Sequence, residues 1–157
     1  MRIGYGYDVH RIGKGHKLVL GGTEIESEFG LLGHSDADVV LHAVIDAILG
    51  ALAAGDIGQH FPDTDSQYKN IDSRILLQKT VDIMDKAEME ISNIDITITA
   101  EKPKLQPYLE DMRKTLRQYL HTSMKNISVK ATTEEGLGVS GEGEGIAATA
   151  VVLLKSL

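Results

Sequence analysis

The chain has 157 residues, a formal net charge of -7 and no cysteine. The length fits one domain, 1–157, with enough apolar side chains for a core without staples. The charge argues against general nucleic-acid binding, and the lack of cysteine leaves only His, Asp and Glu to hold a transition metal. No apolar leader run is visible at the start, and the most apolar stretch, 39–54, is broken by His42 and Asp46 and is too short to span a bilayer. We expect a cytoplasmic protein with no nucleic-acid or membrane partner.

In chain order, Ile3-Gly4-Tyr5-Gly6-Tyr7-Asp8-Val9 reads as a strand with close backbone approaches, and Lys17 to Leu20 as a short strand ending at Gly21-Gly22. The first clear helix is expected from Asp36 to Ala54, with Ser35 as N-cap. It is apolar on nearly every side, which means burial, except for a stripe of Asp38, His42 and Asp46 at i, i+4 and i+8. Gly55 to Gly58 and Phe61 to Asp65 read as loop. A second helix follows, capped by Asp72 or Ser73, with Ile75, Leu76, Val81, Met84 and Ala87 inward. Ile94 to Ala100 alternates as a strand. A third helix runs from Leu105 to His121, with Leu105, Leu109, Met112, Leu116 and Leu120 inward. Ile127, Val129 and Ala131 mark another strand, and Ile146 to Leu154 closes the chain as a continuous apolar one.

Strands and helices intermix over the chain, which predicts an α+β fold: a two-layer α/β sandwich with helices on one face of a mixed sheet. The other face is expected to carry Thr, Asp and small residues. A half-polar face of that kind can meet copies of itself in a homo-oligomer.

The strongest constellation is Asp8-x-His10 with His42. Residues i and i+2 of a strand share a face, and a buried helix can deliver His42 as the third ligand. Two imidazoles and a carboxylate suit a zinc site with one open position. A lone His on an apolar helix is more often a satisfied core residue. Three polar groups on one buried stripe, however, cost several kcal/mol unless paired or metal-bound. Gly33-His34-Ser35-Asp36 comes second, at a helix N-terminus that favours an anion; the plainer reading is a helix cap, and both can hold. Third is Lys130-Ala131-Thr132-Thr133-Glu134-Glu135, whose hydroxyls and carboxylates suit phosphate oxygens and a hard cation; a solvated acidic turn is the plainer reading. Gly136-x-Gly138-x-x-Gly141 matches a dinucleotide-binding pattern in form only, because a strand follows rather than the required helix. The strand-to-helix turn at 100–104 has a backbone able to read a base edge.

Gly6-Tyr-Asp-Val-His10, Gly33-His-Ser-Asp-Ala-Asp38, Gly55-Asp-Ile-Gly58, Phe61-Pro-Asp-Thr-Asp65, Lys130-Ala-Thr-Thr133 and Gly143-Glu-Gly-Ile146 occur in this order and spacing. On these stretches the chain resembles the 2-C-methyl-D-erythritol 2,4-cyclodiphosphate synthases over nearly its full length. The resemblance implies a homotrimer with active sites between subunits. It implies a cytidine diphosphate-linked substrate, 4-diphosphocytidyl-2-C-methyl-D-erythritol 2-phosphate, cyclised with release of CMP in non-mevalonate isoprenoid biosynthesis. Carried over, Asp8, His10 and His42 hold zinc, and Asp8 and His10 also border the substrate. His34 and Thr133 are catalytic, positioning phosphates, with Ser35 beside His34. Asp56, Ile57 and Gly58 meet the methylerythritol hydroxyls, and Phe61, Pro62, Asp63, Thr64 and Asp65 border the substrate. The cytidine side is held by Ala100, Glu101, Lys102, Pro103, Lys104, Leu105 and Gln106 together with Thr132. Glu134 and Glu135 flank the diphosphate, and Glu135 coordinates magnesium or manganese.

Two positions depart from the family pattern, which often has an aromatic at Val139 and Arg at Glu142. Neither residue is counted as catalytic, and an axial cavity is not expected to hold a diphosphate in the same way. The competing functions are a metal-dependent phosphohydrolase, which would use the same three ligands to activate water, and a trimeric ligand-binding protein with structural zinc. The first is disfavoured by the lack of an adjacent His-Asp pair, the second by the open fourth metal position.

Overall fold

A computed structural model describes residues 1–157. Strand β1 (Arg2–Lys14) is followed by β2 (Leu18–Leu20), β3 (Thr23–Ile25) and β4 (Phe29–Leu31). Then come α1 (Val39–Ala51), the short α2 (Ile57–His60) and α3 (Ser73–Lys86). β5 (Met89–Thr99), α4 (Leu109–Leu120), β6 (Ile127–Thr132), the turn-like α5 (Gly138–Gly141) and β7 (Gly145–Ser156) complete the chain. The fold is α+β. Its main sheet has the order β4-β1-β7-β5-β6, while β2 and β3 form a separate antiparallel pair. Only β5 and β6 are parallel, and α4 supplies the crossover that parallel strands need.

One face of the sheet is dry. β5 buries Ile94, Ile96 and Ile98, and β7 buries Ile146, Ala148, Ala150, Val152 and Leu154. Period-two alternation therefore governs β7 as well: Val151 stands exposed between its buried neighbours, so the strand is apolar throughout but buried on one side only. α1 lies on β1 and β7, with α3 against α1 and α4 against β6. Gly4 and Gly6 make the first of these contacts possible. A Cβ at Gly4 would stand 1.8 Å from the Ala47 carbonyl oxygen, and one at Gly6 1.9 Å from that of Ala43. The close backbone approach read from the glycine-rich opening is thus the seat of α1 on β1.

Several expected boundaries move. α1 begins at Val39, not Asp36, and its N-cap is Asp38 rather than Ser35. Asp38 accepts from the Leu41 N–H at 3.0 Å and also from the Gly21 and Gly22 N–H groups. A carboxylate with three backbone donors outcompetes a single hydroxyl for the cap position. Part of the Gly55–Gly58 loop is the start of α2, with Asp56 as its cap. α3 is capped by Asp72 and buries Leu76, Leu77, Thr80, Val81 and Met84, whereas Ile75 and Ala87 are exposed. All five residues of the expected α4 stripe are buried, although Leu105 precedes a 3-10 turn that comes before the helix proper.

The open sheet face differs from the expectation. It is polar at β5 and β6, where Asp95, Thr97, Lys130 and Thr132 sit, and Lys130 pairs with Asp95 at 2.7 Å. At β1 it is apolar: Ile3, Tyr5, Tyr7 and Val9 are all exposed. Burying Gly4 and Gly6 against α1 turns every intervening side chain outward.

Candidate active site

β1 and α1 bring together the three residues that the sequence singled out. Asp8 and His10 follow Gly4 and Gly6 on the helix-facing side of β1, and α1 carries His42 down onto them. The Asp8 Oδ2 atom lies 3.1 Å from His10 Nε2 and 2.9 Å from His42 Nδ1. One ligand atom from each residue falls within 4.8 Å of the other two. His10 donates its Nδ1–H to the Leu32 carbonyl at 2.6 Å, which turns its Nε2 toward Asp8 and the shared centre. His42 is buried, whereas Asp8 and His10 are partly open. This donor set suits a divalent transition ion with a position left open toward solvent.

Without an ion, the trio is held by hydrogen bonds that a divalent cation would replace. Burial pushes the Asp8 carboxyl up, but hydrogen bonds from His10 and His42 outweigh it and hold Asp8 below the usual carboxylate range. Burial pulls His10 down, and its bond to Asp8 more than offsets this, leaving its pKa raised. Asp8 is thus anionic at neutral pH, as a ligand must be.

The centre opens into a cleft of about 300 Å³. Besides the three ligands, His34, Ser35, Ile57, Gly58, Phe61 and Asp63 line it, as do four residues not assigned to the site from the sequence: Tyr7, Asp46, Tyr68 and Leu76. His34 donates Nε2–H to the Asp65 carbonyl at 3.0 Å, which ties the Phe61–Asp65 loop to the start of the His34-Ser35 segment. Asp46 accepts from the Ile57 N–H at 3.0 Å and so fixes α2 against the cleft. Its place on the His42 stripe was the available signal. The stripe therefore has three separate partners: backbone donors for Asp38, the trio for His42, and α2 for Asp46. Asp56 is exposed and caps α2, accepting from the Gln59 N–H at 2.9 Å. Pro62 and Thr64 lie in the same loop beyond the cleft wall, and the Asp65 side chain turns to Gln67.

The remaining expected site residues gather elsewhere, at the ends of β5 and β6. The Ala100 N–H donates to the Thr132 carbonyl at 3.0 Å. Glu101 accepts from the Gly136 N–H at 3.0 Å, which links the 100–106 turn (Lys102, Pro103, Lys104, the buried Leu105 and Gln106) to the glycine-rich turn. Ser140 holds Glu134 at 2.6 Å, and Thr133 Oγ1 accepts from the Glu135 N–H. Glu135 has a left-handed backbone, φ 52°, and an exposed side chain. None of these residues lines the Asp8 cleft. Val9, Ala147, Thr99 and Thr132 share one row across four strands. The two groups therefore sit at the same end of the sheet, roughly 14 Å apart by strand spacing.

The sequence profile of the YgbB family matches residues 1–155. The chain belongs to the YgbB family. Relatives named 2-C-methyl-D-erythritol 2,4-cyclodiphosphate synthase include one from Brachyspira hyodysenteriae, 59% identical over 99% of this chain and 98% of that protein. Another, from Lachnospira eligens, is 56% identical over 100% of this chain and 86% of its own length. Among YgbB-like structures, the bifunctional IspDF of Campylobacter jejuni superposes with a TM-score of 0.95 at 42% identity; the match covers 99% of this chain and 42% of that one. An IspF of Plasmodium falciparum, solved as a CDP complex, gives a TM-score of 0.87 at 37% identity, with 99% and 96% covered.

Proposed function

We propose that the chain converts 4-diphosphocytidyl-2-C-methyl-D-erythritol 2-phosphate into 2-C-methyl-D-erythritol 2,4-cyclodiphosphate and CMP. The observation that carries this reading is the convergence of Asp8, His10 and His42 in a cleft of about 300 Å³, in a chain whose full-length relatives bear that enzyme's name. The phosphohydrolase and the binding-protein readings have no comparable support. The CDP-bound relative favours a cytidine diphosphate-linked substrate.

In this reaction an oxygen of the 2-phosphate bonds to the β-phosphorus, and the bond from that phosphorus to the oxygen bridging to the α-phosphate breaks. CMP carries that oxygen and its electron pair away. No protein nucleophile is required, so the chain supplies alignment and charge neutralisation. Asp8, His10 and His42 would hold zinc, which as a Lewis acid would draw charge from one phosphate. His34 and Thr133 position phosphate oxygens, and Ser35 adds a hydroxyl beside His34. Asp56, Ile57 and Gly58 receive the methylerythritol hydroxyls, and the Phe61–Asp65 loop borders them. Ala100 to Gln106 and Thr132 face cytidine, with Glu134 beside the diphosphate and Glu135 placed to hold magnesium or manganese.

The roughly 14 Å between the two groups, three strand spacings, leads us to assign them to different subunits of a homotrimer. The exposed Ile3, Tyr5, Tyr7 and Val9 row supports burial of this face between copies. The test is phosphorus NMR on metal-loaded protein with the cytidyl substrate. A cyclic diphosphate plus CMP is expected; free inorganic phosphate would favour the hydrolase, and unchanged substrate the binding protein.

A further inference from the structure

His42 needs its Nδ1 lone pair free to hold an ion, yet its neighbour on that side, the Asp8 carboxylate at 2.9 Å, is an acceptor that favours a proton there when no ion is bound. The choice is made behind the ring. His42 Nε2 lies 2.9 Å from Ser73 Oγ and 3.1 Å from Ser35 Oγ. A hydroxyl can donate or accept, so two serines alone would not decide which nitrogen of His42 carries the proton. Ser73 is different because its proton is committed: Ser73 Oγ donates to Asp36 Oδ1 at 2.5 Å. Toward His42 it can then only accept. Asp36 is itself fixed, accepting from the Ser73 N–H at 3.0 Å and the Asp38 N–H at 3.2 Å. Ser73 is fully buried, so water does not compete for these bonds.

We propose that Asp36 and Ser73 form a positioning relay that holds His42 with Nε2–H outward and Nδ1 turned to the metal centre. His10 has no such need, because the Leu32 carbonyl can only accept. The relay also places a second carboxylate behind the ligand, which raises the basicity of the imidazole toward a cation. The residue between α1 and the relay has a conformation suited to this. Ala37 is buried with φ 60°, and this left-handed step lets Asp36 turn toward α3 while Asp38 caps α1.

The inference rests on the reading that Asp8, His10 and His42 hold a metal. Its test uses zinc affinity, measured by competition with a chromophoric chelator, and the imidazole N–H signals of the zinc-loaded chain. The variants are Ser73→Ala, which keeps the backbone N–H bonded to Asp36, and Asp36→Asn. Both should bind zinc about 10–100-fold more weakly, the range expected when a partner of a ligating histidine is lost. The His42 Nε2–H signal should move upfield and exchange faster, while the His10 Nδ1–H signal stays in place. Unchanged affinity and an unmoved His42 signal in both variants would overturn the relay, as would equal disturbance of both histidines, which marks general loosening. Failure of the wild-type chain to take up zinc is a separate result, and it would remove the metal reading together with the relay built on it.

Discussion

Asp38 shows how strongly surroundings decide what a carboxylate does. It shares a helical stripe with His42, but it is fully buried among backbone donors and serves only structure. Burial, reinforced by the nearby negative charge of Asp36, raises its pKa from 3.8 to about 6 despite those donors. The folded state therefore binds this proton more tightly than the unfolded state does. The resulting stability is fully present below pH 3.8 and is lost as the pH rises through about 6. Within that window the slope approaches about -1.4 kcal/mol per pH unit. Urea unfolding of wild type and Asp38→Asn between pH 4 and 7 should differ by this slope, steeper in the wild type; parallel curves would refute it. At the centre, His42→Ala should lose zinc and turnover together, and normal turnover without bound metal would contradict the assigned role. Glu135→Gln should raise the magnesium or manganese concentration needed for half-maximal activity while zinc stays bound, and an unaltered activation curve would remove Glu135 from the site.

At the scale of elements, the contact between β1 and α1 joins stability to the site. The Ala43 and Ala47 carbonyls, one turn apart, rest where Gly6 and Gly4 have no side chain. Neither side of this contact can yield cheaply, because both consist of backbone. Gly6→Ala should cost about 3 kcal/mol or more by denaturant unfolding, at the upper end of overpacking penalties. It should also weaken zinc binding, because lifting α1 off β1 separates His42 from Asp8. Stability within 1 kcal/mol of wild type, roughly the lower limit for overpacking, would show that α1 slides instead. The glycine spacing announced this contact in the sequence, and α4 announced its inner stripe through its period. The cap of α1 is not legible along the chain, because the donors that select Asp38, Gly21 and Gly22, lie in a distant turn.

At the scale of the whole molecule, the two halves of the expected site lie at one end of one sheet but do not meet within a chain. On the proposed assignment of the two groups to different subunits, assembly is a requirement for turnover rather than an addition to it. The row of Ile3, Tyr5, Tyr7 and Val9 is the surface to challenge. Tyr5→Glu places a charge in the middle of it, where an apolar interface would leave it unpaired. Sedimentation should show dissociation to monomers that still bind zinc, with turnover lost in proportion. A trimer of undiminished stability would place the interface elsewhere.

By itself, the sequence determined the α+β class, the periodic helices and strands, the Asp8, His10 and His42 trio, and the family. Those features are written in local spacing, or in motifs whose order survives without coordinates. Only the tertiary structure decided what Asp38 and Asp46, the other members of the stripe, do, which nitrogen of His42 faces the centre, and that β1 turns an apolar row outward. These depend on partners far along the chain: Gly21 and Gly22 for Asp38, Ser73 and Asp36 for His42, and α1 for β1. Hydrogen-bond direction and facing are properties of neighbours in space, which no window along the sequence contains.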